Sequence, residues 1–150
     1  MNLLEQAIAW MFAPEQQTGR ASIPNALLEH LGYTFASVLI AALIAVPFGW
    51  AIGHTGRGRD VAVAISGAAR ALPSFGLILL LVLLFGVLHK PEAAITAFVL
   101  LAIPSILAGA YTGLQAIDRT VIDAGRAMGM TEWQILWRIE VPLGMPLLIG

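Results

Sequence analysis

Apolar residues fall in long runs along this chain, separated by short polar stretches. Three runs, at about 33–53, 61–88 and 93–114, are long enough to cross a bilayer, which takes roughly 20 residues as a helix. A lone strand leaves its backbone unpaired in lipid, so helices are expected. The second run is interrupted by Arg70, Ala71, Leu72, Pro73 and Ser74. Proline removes a helical hydrogen bond and drives the residue before it toward extended backbone. A kinked or discontinuous helix is therefore expected, with 75–88 as its second half. Pro47 and Gly49 make a milder kink candidate in the first run. In the third, Pro104 and Ser105 precede Gly109 and Gly113, whose spacing suits close helix approach.

Two segments break this pattern. At the N-terminus, Leu3, Leu4, Ala7, Ile8 and Met11 share one helical face, as in a short helix lying in a membrane interface. Residues 1–30 are read as this interfacial segment and 31–150 as a transmembrane domain. After the third run comes a polar stretch, 118–142. Thr120 to Asp123 and Thr131 to Gln134 fit capping boxes, and Gly129 between them suits a left-handed helix end. A helix, a glycine turn and a second helix are expected. Val121, Ala124, Gly125 and Met128 form a small apolar stripe on the first helix, with Asp123 and Arg126 paired beside it. Trp133, Leu136 and Trp137 share a face of the second. Residues 142–150 begin another apolar run, so the chain reads as the N-terminal portion of a longer protein.

Composition narrows the class. The chain is 59% hydrophobic and 11% charged, against about 25% charged residues in a typical soluble domain. The fold class is all-α membrane protein. The net charge of −1 gives no case for nucleic acid, and the absence of cysteine removes disulfides and thiolate chemistry. His30, His54 and His89 lie far apart at the edges of apolar runs and read as interfacial residues, so no metal site is assigned. Asp60, Glu92, Asp118 and Asp123 all lie outside the spans, leaving no paired acids for an intramembrane enzyme and no catalytic residue to name. Arg57, Arg59, Arg119, Arg126 and Arg138 gather on one side of the predicted spans, against Arg20 and Lys90 on the other. The positive-inside rule places 118–142 in the cytoplasm, with the N-terminus and the 89–92 loop outside.

The polar stretch carries a fixed spacing. Asp123-Ala124-Gly125 is followed after three residues by Gly129, after nine more by Ile139, and then by Val141-Pro142. This resembles the EAA motif of permease subunits of bacterial ABC importers: Glu-Ala-Ala, three residues, Gly, nine residues, Ile, one residue, Leu-Pro. Asp for Glu, Gly for the second Ala and Val for Leu are the departures. Arg70-Ala-Leu-Pro-Ser74, the run ending Leu-Phe-Gly86, Tyr111-Thr-Gly-Leu and Gly129-Met-Thr resemble the osmoprotectant branch, which imports glycine betaine, choline, carnitine or proline. Methionine-importer permeases share the general motif.

The resemblance implies an ABC importer type I permease-like bundle. Three transmembrane helices, a cytoplasmic coupling helix and the start of a fourth span would be present here. It implies no cofactor on this chain. ATP and Mg would belong to a partner ATPase, consistent with the missing Gly-Lys-Ser/Thr phosphate loop. The implied partners are that ATPase, a second permease, an external solute-binding protein and the bacterial inner membrane. Asp123, Ala124, Gly125, Met128, Gly129, Ile139 and Pro142 become coupling residues.

Arg70, Pro73, Ser74, Ser105 and Tyr111 are candidate pathway or gate residues. Two readings of Arg70 stand: a pathway charge beside the Pro73 break, or an arginine snorkelling to the cytoplasmic face. It lies ~14 Å along the helix from the start of its run. The hydroxyls of Ser74, Ser105 and Tyr111 either face the pore or bond within their own helices.

Overall fold

A computed structural model describes residues 2–149; Met1 and Gly150, the outer ends of the two terminal segments, lie outside it. Every element among the described residues is a helix or helical turn: α1 (Leu3–Met11), α2 (Pro14–Gln17), α3 (Ile23–Thr55), α4 (Arg59–Ala71), α5 (Ser74–Phe85), a 3-10 turn (Val87–His89), α6 (Lys90–Gln115), α7 (Arg119–Ala127), α8 (Glu132–Ile135), a π-helical turn (Leu136–Glu140) and α9 (Val141–Ile149). By packing the chain divides into two units, Met1–Ala36 and Ser37–Gly150.

In the first unit, α1 opens with the Glu5 carboxylate accepting from the Asn2 N–H at 3.2 Å. No residue of α1 is buried, and Leu3, Leu4, Ile8 and Trp10 are all exposed. The first predicted span begins earlier than its apolar run suggests. Helix α3 starts at Ile23 because 23–32 also holds helix-compatible residues, and Ala26 N–H closes the first turn on the Ser22 carbonyl.

The second unit is arranged around α6, which packs against α4, α5 and α9. Ala93 and Ala97 of α6 meet Leu81 of α5, flanked by Leu77, Ile78 and Val82. Small residues set the closest approaches. On α3, Ser37, Ala41, Ala45, Gly49 and Gly53 are buried at every fourth position. A Cβ at Gly53 would lie 2.8 Å from the Leu114 Cβ and 3.0 Å from the Tyr111 carbonyl. On α6, a Cβ at Gly113 would lie 2.7 Å from the Gly144 carbonyl of α9. Close backbone contact of this kind is how helices gain dispersion energy where lipid removes the hydrophobic drive.

Helices α3 and Val87–Gln115 are each long and apolar enough to cross a membrane. The second apolar run is not one rod. Helices α4 and α5 meet at 87°, and neither alone, at 13 and 12 residues, reaches across ~30 Å of hydrocarbon at 1.5 Å per residue. The bend has a local cause: Leu72, held before proline, is extended at ψ 131°, and Pro73 continues at ψ 114°. Helices α3 and α6 continue through Pro47 and Pro104.

Candidate functional site

Residues 118–142 fold into a capped hairpin of short helices. Asp118, not Thr120, is the N-cap of α7: its carboxylate accepts from the Thr120 N–H at 2.9 Å. The expected Thr120–Asp123 box does not form. Asp123 is one methylene shorter than the glutamate a box requires, and its carboxylate faces Arg126 instead, at 3.3 Å. The Thr120 backbone N–H, and then its hydroxyl, hold the Asp118 carboxyl below the ordinary carboxylate range.

Helix α7 ends as its glycine suggests. Gly129 sits at φ +80°, its N–H donates to the Arg126 carbonyl, and Met130 N–H donates to the Gly125 carbonyl. Those two bonds make a Schellman turn. Thr131 then caps α8, with Gln134 reaching back to the Thr131 N–H at 2.9 Å.

The fixed spacing of the motif has a physical meaning here. A Cβ at Gly125 would lie 2.8 Å from the Ile139 Cδ1, 3.5 Å from the Met130 sulfur and 3.6 Å from Ile135. Ile139 folds back onto Gly125 across the Gly129 turn, so both positions and the interval between them are constrained together. The predicted stripe divides. Gly125 is buried and is joined by Ile122, which periodicity missed, while Val121, Ala124 and Met128 are exposed. Asp123, Gly129 and Pro142 are exposed as well, and Ile139 is half-buried. Five coupling candidates thus lie open on the surface, while Gly125 and Ile139 brace them from behind.

A polar chain extends from this hairpin. Arg126 grips Glu132 with two bonds of 2.8 and 3.1 Å. This pair holds the Glu132 carboxyl below its ordinary range and the Arg126 guanidinium above its own. Glu132 lies 3.6 Å from the His54 Nε2, and the His54 Nδ1 lies 2.5 Å from the Glu140 carboxylate, which is buried. His54, in the last turn of α3, is thus the partner of a buried carboxylate. The two carboxylates sit on opposite edges of its ring, and among the described residues no cluster of three ligating side chains is placed to hold a metal.

Beside it, Trp133, Trp137 and Trp50 stack edge-on, with ring centroids 5.5 and 5.6 Å apart. With Pro47, Ala51 and Leu136 they line an apolar hollow of about 230 Å³. A second cavity, of about 310 Å³, lies between α4 and α6 and is lined by Val63, Ser66, Gly67, Arg70, Ala108 and Tyr111. It brings together two of the pathway candidates, Arg70 and Tyr111, and adds Ser66, whose hydroxyl donates to the Pro104 carbonyl at 3.5 Å. Pro73, Ser74 and Ser105 do not line it; all three are exposed elsewhere.

Residues 38–150 match the family of binding-protein-dependent transport system inner membrane components. The chain belongs to this family. Among curated relatives, it is 28% identical over 122 residues to the glycine betaine/carnitine/choline transport system permease protein OpuCB of Bacillus subtilis, covering 81% of this chain and 55% of that protein. It is 29% identical over 150 residues to the carnitine transport permease protein OpuCD of Listeria monocytogenes, covering 100% of this chain and 64% of that one. The choline transport system permease protein OpuBD of Bacillus subtilis is 28% identical over the same length, with 63% of it covered. The chain therefore spans between about half and two thirds of the length of these relatives. No solved structure matches it. This inner membrane component holds the whole motif, from Asp123 to Pro142, within the matched region.

Proposed function

We propose that this chain is part of the permease subunit of an ATP-driven importer, with 118–142 as its coupling element. The observation that carries the reading is the return of Ile139 onto Gly125 across the Gly129 turn. It makes the motif residues a braced lever and leaves Asp123, Ala124, Met128 and Gly129 as an open face. Ala124 and Gly129 let a partner approach the backbone there, beside the exposed Met128 side chain. The partner in this reading is a cytoplasmic ATPase subunit, which supplies ATP and Mg. A second permease completes the pathway and an external binding protein delivers the solute. The clustering of Arg57, Arg59, Arg119, Arg126 and Arg138 supports a cytoplasmic position for the element.

The solute class is a quaternary ammonium or related compatible solute, in keeping with the glycine betaine, carnitine and choline named for the relatives. The cavity between α4 and α6 is the proposed pathway surface. Its Arg70 guanidinium suits a carboxylate, and its Tyr111 ring suits a quaternary ammonium face.

The test is reconstitution of the full-length permease with its ATPase and binding protein in proteoliposomes. Uptake of betaine, carnitine or choline with solute-stimulated ATP hydrolysis is the expected result. Uptake of methionine alone overturns the solute assignment. Arg70→Gln is expected to depress betaine and carnitine uptake more than choline uptake; equal depression removes Arg70 from solute recognition.

A further inference from the structure

The polar chain from Asp123 through Arg126, Glu132 and His54 to Glu140 joins the hairpin to the last turn of α3. Only Asp123 among its five members is a motif position. The place of Glu140 in it depends on the π-helical turn. Ile135 is 0% exposed and Glu140 3%, five residues apart, and the Val141 N–H donates to the Leu136 carbonyl, also five back. The wide turn inserts one residue and rotates the following helix. Glu140 thereby takes the inward position that an α-helical repeat would give to Ile139. Gly144, four residues on, continues the buried face. Such turns are rare and cluster at functional sites.

A buried carboxylate is costly unless paired and hydrogen-bonded. Here the π turn creates that burial and His54 relieves it. The His54 end of α3 is itself held fast, because Gly53 packs without a side chain against Tyr111 and Leu114 of α6. Glu132 on the far ring edge carries the connection on to Arg126 and Asp123, the first residue of the motif. A ring with both nitrogens protonated donates to both carboxylates; a neutral ring donates to only one.

We propose that His54 is a positioning residue that latches the 118–142 element to the first span through Glu140, so that displacement of the element is passed into α3. The proposal rests on the importer reading above. In it the hairpin receives the motion, the imidazole–carboxylate pair is the joint, and α3, together with the end of α6 that Gly53 packs on, is the arm that moves.

The full-length permease, assembled with its ATPase and binding protein in proteoliposomes, tests this by solute taken up per ATP hydrolysed. His54→Ala is expected to lower that ratio by about tenfold, within the range of measured coupling energies, while ATP hydrolysis and the apparent KM for delivered solute persist. Glu140→Gln is expected to do the same, and the double variant no worse than either single, as for residues acting through one contact. The swapped pair His54→Glu with Glu140→His is expected to regain coupling. If His54→Ala fails to assemble, the paired variant His54→Leu with Glu140→Leu removes the buried charge and keeps the bulk, and it must show the same uncoupling. An unchanged uptake-to-ATP ratio in an assembled His54 variant overturns the latch. The two failures separate: a wild type without solute-stimulated ATPase counts against the importer reading, whereas a coupled wild type with an equally coupled His54 variant counts against the latch alone.

Discussion

The hairpin at 118–142 and the bend at Pro73 both change the direction of the chain, but they are held in opposite ways. In the hairpin every turn has its own support: the Asp118 cap, the Schellman bonds at Gly129, the Thr131–Gln134 box and the grip of Arg126 on Glu132. At the bend, local support comes down to one residue, and beyond it α4 and α5 are held by their packing on α6. Leu72, Pro73, Ser74 and Phe75 are all exposed, and no side chain caps α5. Redundant bonds make a rigid body that moves as a unit. A single steric constraint makes a bend that one substitution can release. The proposed importer function, in which motion at one site becomes opening at another, calls for both kinds of joint.

The largest effect is expected where rigidity depends on the absence of a side chain. Gly125→Leu places a branched side chain where even a bare Cβ meets Ile139 at 2.8 Å. Overpacking of this kind costs about 1–3 kcal/mol, and a full leucine side chain must displace Ile139, Met130 and Ile135 together. Solute-stimulated ATPase is expected to be lost while membrane insertion, followed by protease protection, is kept. Ala124→Leu, on the exposed face, separates bracing from docking. It should leave thermal stability unchanged and weaken capture of the ATPase subunit in a pull-down. Equal behaviour of the two variants would erase the distinction between an inner and an outer face.

An intermediate effect is expected at the bend. Pro73→Ala restores an N–H and frees Leu72 to adopt helical backbone. Residues 1–150 hold no cysteine, so in a permease cleared of any other cysteine, spin labels on Val63→Cys and Leu80→Cys report on α4 and α5. The label distance is expected to lengthen as the 87° angle opens, and uptake to fall several-fold without loss of insertion. An unchanged distance would mean that packing on α6, rather than Pro73, sets the angle.

The same contrast explains what the sequence could announce. Gly129, Thr131 with Gln134, and Pro73 act within a few residues of themselves, and each does what its chemistry predicts. Other features depend on neighbours that only the fold supplies. Ile122 rather than Val121 turns inward because Ile135 and Ile139 return over that side of α7. Asp118 displaces Thr120 as the cap because its carboxylate already occupies the Thr120 N–H. The π turn has no local marker, and His54 and Glu140 stand 86 residues apart. One signal was visible in principle: Ser37, Ala41, Ala45, Gly49 and Gly53 recur every fourth residue, which marks the packed face of α3 more firmly than the kink candidate at Pro47 does. Glu140, an acid standing just ahead of an apolar run, was the other.

The smallest effect is expected at the cap, and it is the one that pH reads directly. The Asp118 and Glu132 carboxyls are both held below their ordinary range, by the Thr120 N–H and by Arg126. A carboxyl depressed in the folded state stabilises it above the unfolded value and loses that contribution as pH falls through the lower folded value. The hairpin should therefore hold its order down to about pH 4, near the ordinary carboxylate value, and loosen below it. Faster amide exchange at Thr120 and Arg126 would report this. Asp118→Asn keeps a competent cap and should flatten the pH response at Thr120 while leaving it intact at Glu132. Asp118→Ala should lower Tm by only a few degrees, because the Gly129 turn and the Thr131 box remain. A larger loss would mean that the supports of the hairpin act in series rather than in parallel, and the contrast with the single-residue bend would no longer hold.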